Sequence, residues 1–275
     1  MPPVLRTLSR TVLGGTALTL APALYLYHRT AADLEARYPP CPPTTAGTPA
    51  LRDTSATPSQ HTPYTDIYSA RVPVHGLHAL AAAASPTSDG SGPPSPRTEE
   101  SPTPAPSLED AWARAFLQSP ALHWEARLLG RTRDAGDTGA HGFARGRPLL
   151  NGLFTVLRTP AAGAPLLVEW RMDGGATAFF ARIARVGYPW RLMDGGRHEW
   201  GVGEVGADGT VEVRFACAHQ YEIWEGEGEG QKTVPEWVKR AHRVFAMWLL
   251  DERARAVREC ALQDGRTKTT LPVRP

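Results

Sequence analysis

Cysteine is scarce in this chain, with three in 275 residues: Cys41, Cys217 and Cys260. They lie far apart and no Cys-x-x-Cys pair occurs, which excludes the usual zinc and dithiol redox motifs. An odd count also excludes a fully paired disulfide framework. Asparagine is scarcer still. Asn151 stands alone, followed by Gly152 and Leu153, so the chain has no N-glycosylation acceptor. Neither sign of charge dominates, because 30 Lys and Arg face 28 Asp and Glu for a formal +2. Without a block of five or six basic residues, that balance predicts no nucleic-acid partner. No internal repeat, nucleophile elbow or EF-hand pattern occurs, and no cofactor or metal is expected. What remains is an apolar content of 41%, enough to build a core in part of the chain.

The two ends of that core are framed by unusual composition. Arg6 and Arg10 precede an uncharged run from Thr11 to Tyr27, closed by His28-Arg29. Its length sits at the lower edge of a membrane span, for which about 17–25 residues are needed. The expectation is a single-pass membrane anchor over residues 11–28. A cleaved signal peptide and a mitochondrial presequence are the alternatives, so the compartment is either secretory or mitochondrial. Residues 39–63 and 85–107 hold seven prolines each, among Thr, Ser and Ala. Such composition buries too little apolar surface to offset chain entropy. The first stretch is therefore expected to be a disordered linker after an N-terminal segment 1–38. The second is expected to be a disordered insert within a domain spanning 64–262, and 263–275 reads as a polar tail.

Within 64–262 the hydrophobic period changes along the chain. Tyr64 to Val72 is rich in β-branched and aromatic residues and ends at Pro73, which predicts a strand. His75 to Ala84 predicts a short helix. Ser107 opens a second helix with a capping box, and Ser119-Pro120 opens a third. Strands follow at Phe154–Arg158 and Leu166–Met172. Ala178 to Val186 reads as a strand whose pattern also fits a helix. Arg197–Val205 and Thr210–His219 flank Ala207-Asp208-Gly209, a tight hairpin. Thr233-Val-Pro-Glu236 then starts a long helix, expected to end near Arg258. Its expected apolar stripe is Trp237, Val238, Ala241, Val244, Phe245, Trp248 and Leu249, with Asp251 outside.

The predicted class is α+β, an antiparallel sheet covered by one long C-terminal helix. This order resembles the helix-grip arrangement of the START and Bet v 1 superfamily, which implies a curved sheet gripping the last helix around a cavity. Three segments, Tyr64–Pro73, Asp110-Ala-Trp-Ala-Arg-Ala-Phe116 and Phe154-Thr-Val-Leu-Arg158, are similar to a family of uncharacterised domains, domain of unknown function 2867. Arg197-His198 and His242-Arg243 look similar as well. That family has no established activity, so the resemblance implies a fold and no chemistry.

Candidate chemistry is sparse. Gly201-Val-Gly203-Glu-Val-Gly206 matches a dinucleotide pattern, but the glycines lie in a strand with no helix behind them. They read as a bend in the strand. His198 shares a strand face with Trp200, and His242 shares a helix face with Phe245 and Leu249. In a helix-grip fold both histidines point into the cavity, as general bases or as contacts for a polar ligand group. The competing reading is a pair of core histidines with satisfied hydrogen bonds. His219 and Cys217 read as alternation along one strand rather than a catalytic dyad. Eight tryptophans lie between residues 112 and 248. Of these, Trp124, Trp170, Trp200, Trp237 and Trp248 fall on expected inward faces. The expected ligand-contacting set is Trp170, His198, Trp200, Phe215, His242 and Phe245. The function expected from this reading is a membrane-tethered binder of a hydrophobic small molecule or lipid. A small cyclase- or isomerase-like enzyme using His198 or His242, and an organelle-membrane scaffold, are the alternatives.

Overall fold

The computed structural model describes residues 24–55, 57–83, 106–128, 138–139 and 141–269. The chain divides into two compact units, Met1–Pro39 and Pro40–Pro275. In the first, a helix α1 spans 24–37. Leu24, Tyr25 and Leu26 are exposed, and an Asp33–Arg37 ion pair joins successive turns. Among the described residues no helix is long and apolar enough to cross a membrane. That corrects the expected single-pass membrane anchor. Arg29, Asp33, Glu35 and Arg37 lie within α1, so its charge content rules out a span there. Residues 11–23 of the expected segment lie outside the described residues, as do residues 85–105 of the expected insert.

The second unit is α+β. Short helices α2 (Pro43–Ala46) and α3 (Pro49–Arg52) lead to strands β1 (Gln60–His61) and β2 (Thr65–Pro73). Then come α4 (Val74–Ala83), α5 (Leu108–Leu117) and α6 (Pro120–Leu128). Strands β3 (Pro148–Leu149), β4 (Phe154–Arg158) and β5 (Leu166–Arg171) precede α7 (Gly174–Arg185). Strands β6 (Gly195–Val205) and β7 (Thr210–Glu222) and the helix α8 (Glu236–Thr269) complete it. The seven strands form one antiparallel open sheet in the order β1-β7-β6-β5-β4-β3, and β2 continues the β1 side by pairing with β7. The hairpin between β6 and β7 closes through Gly206 N–H to Thr210 O, with Gly209 at φ 71° as its left-handed residue. Ser107 caps α5 by accepting from Asp110 N at 3.1 Å. Ser119, fully buried, accepts from Leu122 N at the start of α6 and donates to Glu252 of α8 at 2.6 Å.

Both faces of the sheet are covered. On the inner face α8 packs against β2 and α4, and α5 packs against β6. The crossing of α4 and α8 is close because Gly76 has no side chain. A Cβ there would lie 2.3 Å from Val257 O. The outer face is closed by residues 40–52, the front of the stretch expected to be a disordered linker. Leu51 is buried with Ile67, Leu167, Ala216 and Ala218, and Cys41, Ala46 and Ala50 pack around them. Polar bonds lock this strap. Arg197 donates to Ala50 O at 2.6 Å and Arg214 to Ala46 O at 2.9 Å. Thr48 N donates to the buried Glu199 at 3.1 Å, and Arg158 pairs with the same carboxylate at 2.8 Å. Proline here sets short turns and helix starts, so it shapes the strap instead of preventing order.

Two further expectations change. The segment expected as a strand at Ala178–Val186 lies in the helix α7, capped by Asp173, which accepts from Ala176 N at 2.9 Å. The long helix runs past Arg258 to Thr269, into the expected tail. Replacing Leu51 by Ala is predicted to lower unfolding stability by about 2–5 kcal/mol, the usual cost of emptying a buried leucine site. The shift of the denaturant midpoint measures it. An unchanged midpoint would mean that the strap contributes no packing.

Candidate functional site

The inner face of the sheet is organised in rows, because residues directly opposite on neighbouring strands point the same way. One row runs Asp66 (β2), Cys217 (β7), His198 (β6) and Val168 (β5). The row on one side is Tyr68, Phe215, Trp200 and Leu166. The row on the other side is His219, Gly196, Trp170 and Phe154. The middle row is polar and its neighbours are mostly aromatic. Gly196 is required for this arrangement. A Cβ at that position would sit 2.1 Å from Ala218 O and 2.9 Å from the Trp170 ring. The bare backbone lets the indole of Trp170 lie across β6.

From above, α8 brings His242, Phe245, Ala246 and Leu249, at the spacing of one helix face, onto these rows. Between helix and sheet is a cavity of about 230 Å³. Its walls include Phe154, Met172, Met193, Phe116 and Leu122. All six residues expected to contact a ligand, Trp170, His198, Trp200, Phe215, His242 and Phe245, line it together. Other expectations about inward faces fail. Trp124, Trp237 and Trp248 are 63%, 71% and 42% exposed, and Asp251 is buried. The apolar arc of α8 is wider than one stripe and is rotated. His242, Phe245, Ala246 and Leu249 meet the cavity, while Leu250, Ala254 and Val257 are buried along a second face.

His198 sits among rings, with centroids 5.2 Å from Phe154, 5.4 Å from Phe215 and 6.0 Å from Trp170. Both of its ring nitrogens are buried, and neither forms a hydrogen bond to a protein group among the described residues. The Nδ1 atoms of His219 and His242 are in the same condition. The satisfied hydrogen bonds expected of core histidines are therefore not supplied to His198 by protein groups among the described residues. His242 and His219 meet edge to face at 4.7 Å, and Tyr64 stacks on His219 at 4.7 Å. Tyr64 and Tyr221 share a 3.2 Å hydroxyl contact, and Lys239 lies 4.8 Å above the Tyr64 ring.

Burial dominates the electrostatics. It holds His198 at a pKa of about 3, with the nearby His242 adding to the effect. Burial first, and Arg243 second, hold His242 at about 4. Burial also depresses His219 well below 6.5, with His242, His198 and Lys239 adding to it. Asp66 moves the other way. Burial raises it to about 6 and Glu236 adds to the rise, against the opposing charges of Arg243 and Lys239. All three imidazoles are thus neutral near pH 7.

One further grouping escaped the sequence. The side-chain donor atoms of His198, Cys217 and His242 all lie within 4.8 Å of one another. These are metal-ligating residue types, drawn from three elements, where no metal was expected. Cys217 and His219, read from the sequence only as strand alternation, belong to this floor with Asp66. The signal was their shared face with His198 across the hairpin. No protein-family model matches the chain, and neither a curated protein nor a solved structure does so.

The depressed imidazole pKa values imply an acid-labile fold. Between about pH 6.5 and pH 4 the unfolded chain binds protons that folded His198 and His242 exclude, so stability falls as pH falls through that window. Asp66 opposes this between about pH 6 and 3.8, where its folded form holds the extra proton. Each excluded histidine proton contributes about 1.4 kcal/mol per pH unit at most. Unfolding stability of chelator-treated protein from pH 7.5 to 4.5 should therefore decline, and a His198→Gln/His242→Gln variant should show a shallower slope. Parallel slopes would contradict the burial of both rings.

Proposed function

We propose that this domain binds a small apolar molecule in the cavity between the sheet and α8, in an arrangement of the helix-grip kind. The observation that carries the reading is the cavity itself: about 230 Å³ walled by Trp170, Trp200, Phe154, Phe215, Phe245 and Leu249, with imidazoles as its polar points. Apolar walls with a few convergent polar groups are what small-molecule sites have in common.

Volume narrows the ligand class. A dry cavity of about 150 Å³ accommodates benzene, and drug-sized ligands occupy about 300–1,000 Å³. The space here falls between them and fits one or two rings or a short branched chain. A whole membrane lipid exceeds it. The enzyme alternative, with His198 or His242 as a general base, loses ground on the same geometry. A base is most effective when its pKa is near the working pH. Burial holds these two at about 3 and about 4.

Methyl resonances give a local readout, because Met172 and Met193 line the cavity while Met247 is buried outside it. Titrating methionine-labelled protein with naphthalene should shift the Met172 and Met193 methyl signals saturably and leave Met247 nearly unmoved. Ala246→Leu, which adds three carbons to the cavity wall, should weaken that binding at least about tenfold with the helical and sheet spectrum preserved. Absence of any saturable shift up to the solubility of naphthalene would overturn the reading.

A further inference from the structure

The cluster of His198, Cys217 and His242, whose two imidazoles line the cavity, goes beyond apolar binding and does not depend on it. From their convergence we infer that His198, Cys217 and His242 form a binding site for a zinc-type transition metal ion, with its open coordination position facing the cavity.

Backbone geometry brings the ligands together. Cys217 and His198 are direct partners across β7 and β6, so their side chains leave the sheet side by side. His242 descends from α8 on the opposite side. All the candidate ligand atoms lie within 4.8 Å of one another. Around a four-coordinate zinc ion, with metal–ligand distances of about 2.0–2.3 Å, such atoms stand about 3.3–3.8 Å apart. Closing the difference asks each side chain to move by less than about 1 Å, within the reach of small torsional adjustments.

The chemistry of the set selects the ion. Two imidazoles and one thiolate suit zinc and similar borderline or soft ions, whereas magnesium and calcium require oxygen ligands. Binding would convert the Cys217 thiol to thiolate, with its proton released to solvent. A second observation points to a ligand independently of the cluster. Both ring nitrogens of His198 and the Nδ1 of His242 are buried with no protein hydrogen-bond partner among the described residues. Leaving such nitrogens without a partner is costly, and coordination would satisfy one on each ring. Three protein ligands with a fourth position left open is the pattern of zinc sites that hold water or a substrate atom. Here His198 and His242 both line the cavity, so the fourth position points into it. The site would then hold a ligand carrying one coordinating atom on an apolar body.

Cobalt(II) tests the assignment on the full chain. Chelator-treated protein titrated with cobalt(II) should develop, at one equivalent, a thiolate-to-cobalt charge-transfer band and the intense visible bands of a four-coordinate ion. Zinc(II) should bleach both. Cys217→Ser should lose the charge-transfer band, while a Cys41→Ser/Cys260→Ser variant should retain it. His198→Gln and His242→Gln should each weaken zinc affinity by more than the roughly 10–100-fold that losing an outer-shell partner costs. A wild-type protein that gives no charge-transfer band refutes the site whatever the variants do. A band that survives in Cys217→Ser, or that disappears with Cys41 and Cys260, refutes it equally. If Cys217→Ser fails to fold, the result from the Cys41→Ser/Cys260→Ser variant still decides which thiol binds.

Discussion

The constraint on which this structure turns is the burial of imidazole nitrogen in an aromatic sandwich. Both nitrogens of His198 and one each of His219 and His242 are buried without a protein partner among the described residues. A core built only for stability would favour apolar side chains in that row, because an unmatched buried polar group costs roughly 1–3 kcal/mol. The row instead carries Asp66, Cys217 and His198 side by side, with His242 above. The floor is polar and the walls are aromatic. That contrast sets the cavity apart within an otherwise ordinary sheet-and-helix core.

The rest of the fold supports this row from both sides. Behind it, residues 40–52 close the outer face of the sheet through Leu51 and through bonds from Arg197, Arg214 and Thr48. The carboxylate of Glu199 is nearly inaccessible, yet it receives both Arg158 and Thr48, so its charge is matched and it ties the strap to β6. In front of the row, α8 is held against α4 at a crossing where Gly76 allows backbone approach, and against α6 through Ser119 and Glu252. The helix therefore stands at a fixed height above the sheet. Its side chains at His242, Phe245 and Leu249 do not fill the space beneath them, which is why a cavity remains.

The local structure was largely legible in the sequence, and the packing was legible only in part. Strand alternation placed His198 with Trp200, helical spacing placed His242 with Phe245, and the cavity unites both pairs. Register was the missing piece. A regular hairpin continued from the Val205–Val211 pair would set His198 opposite Ala218. An irregularity between Val202 and Val205 shifts the pairing by one residue and sets His198 opposite Cys217. Of the glycines that match a nucleotide-binding pattern only in spelling, Gly203 occupies this irregular stretch, while Gly201 pairs in regular register with Arg214. Elsewhere, a composition rule misread the strap, because prolines that start short helices look the same as prolines in a disordered tether. On α8 the bulky tryptophans drew the expected stripe towards Trp237 and Trp248, while small residues, Ala254 and Ala261, mark the buried face. Close packing against α4 rewards small side chains there, and size is invisible to a hydrophobic period. The membrane anchor failed for a related reason, since α1 carries its charges soon after the apolar run.

These features support the proposed binding role: aromatic walls, a fixed roof and a short row of donors at one edge. The central claim is that a space of about 230 Å³ persists there in the folded protein and is apolar. Xenon is its most direct probe, because dry apolar cavities take up the gas without any specific contact. Crystals pressurised with xenon should show an anomalous peak between Trp170, Phe215, Phe245 and Leu249. A derivative with xenon only at the surface, and those four side chains closed against one another, would contradict the account.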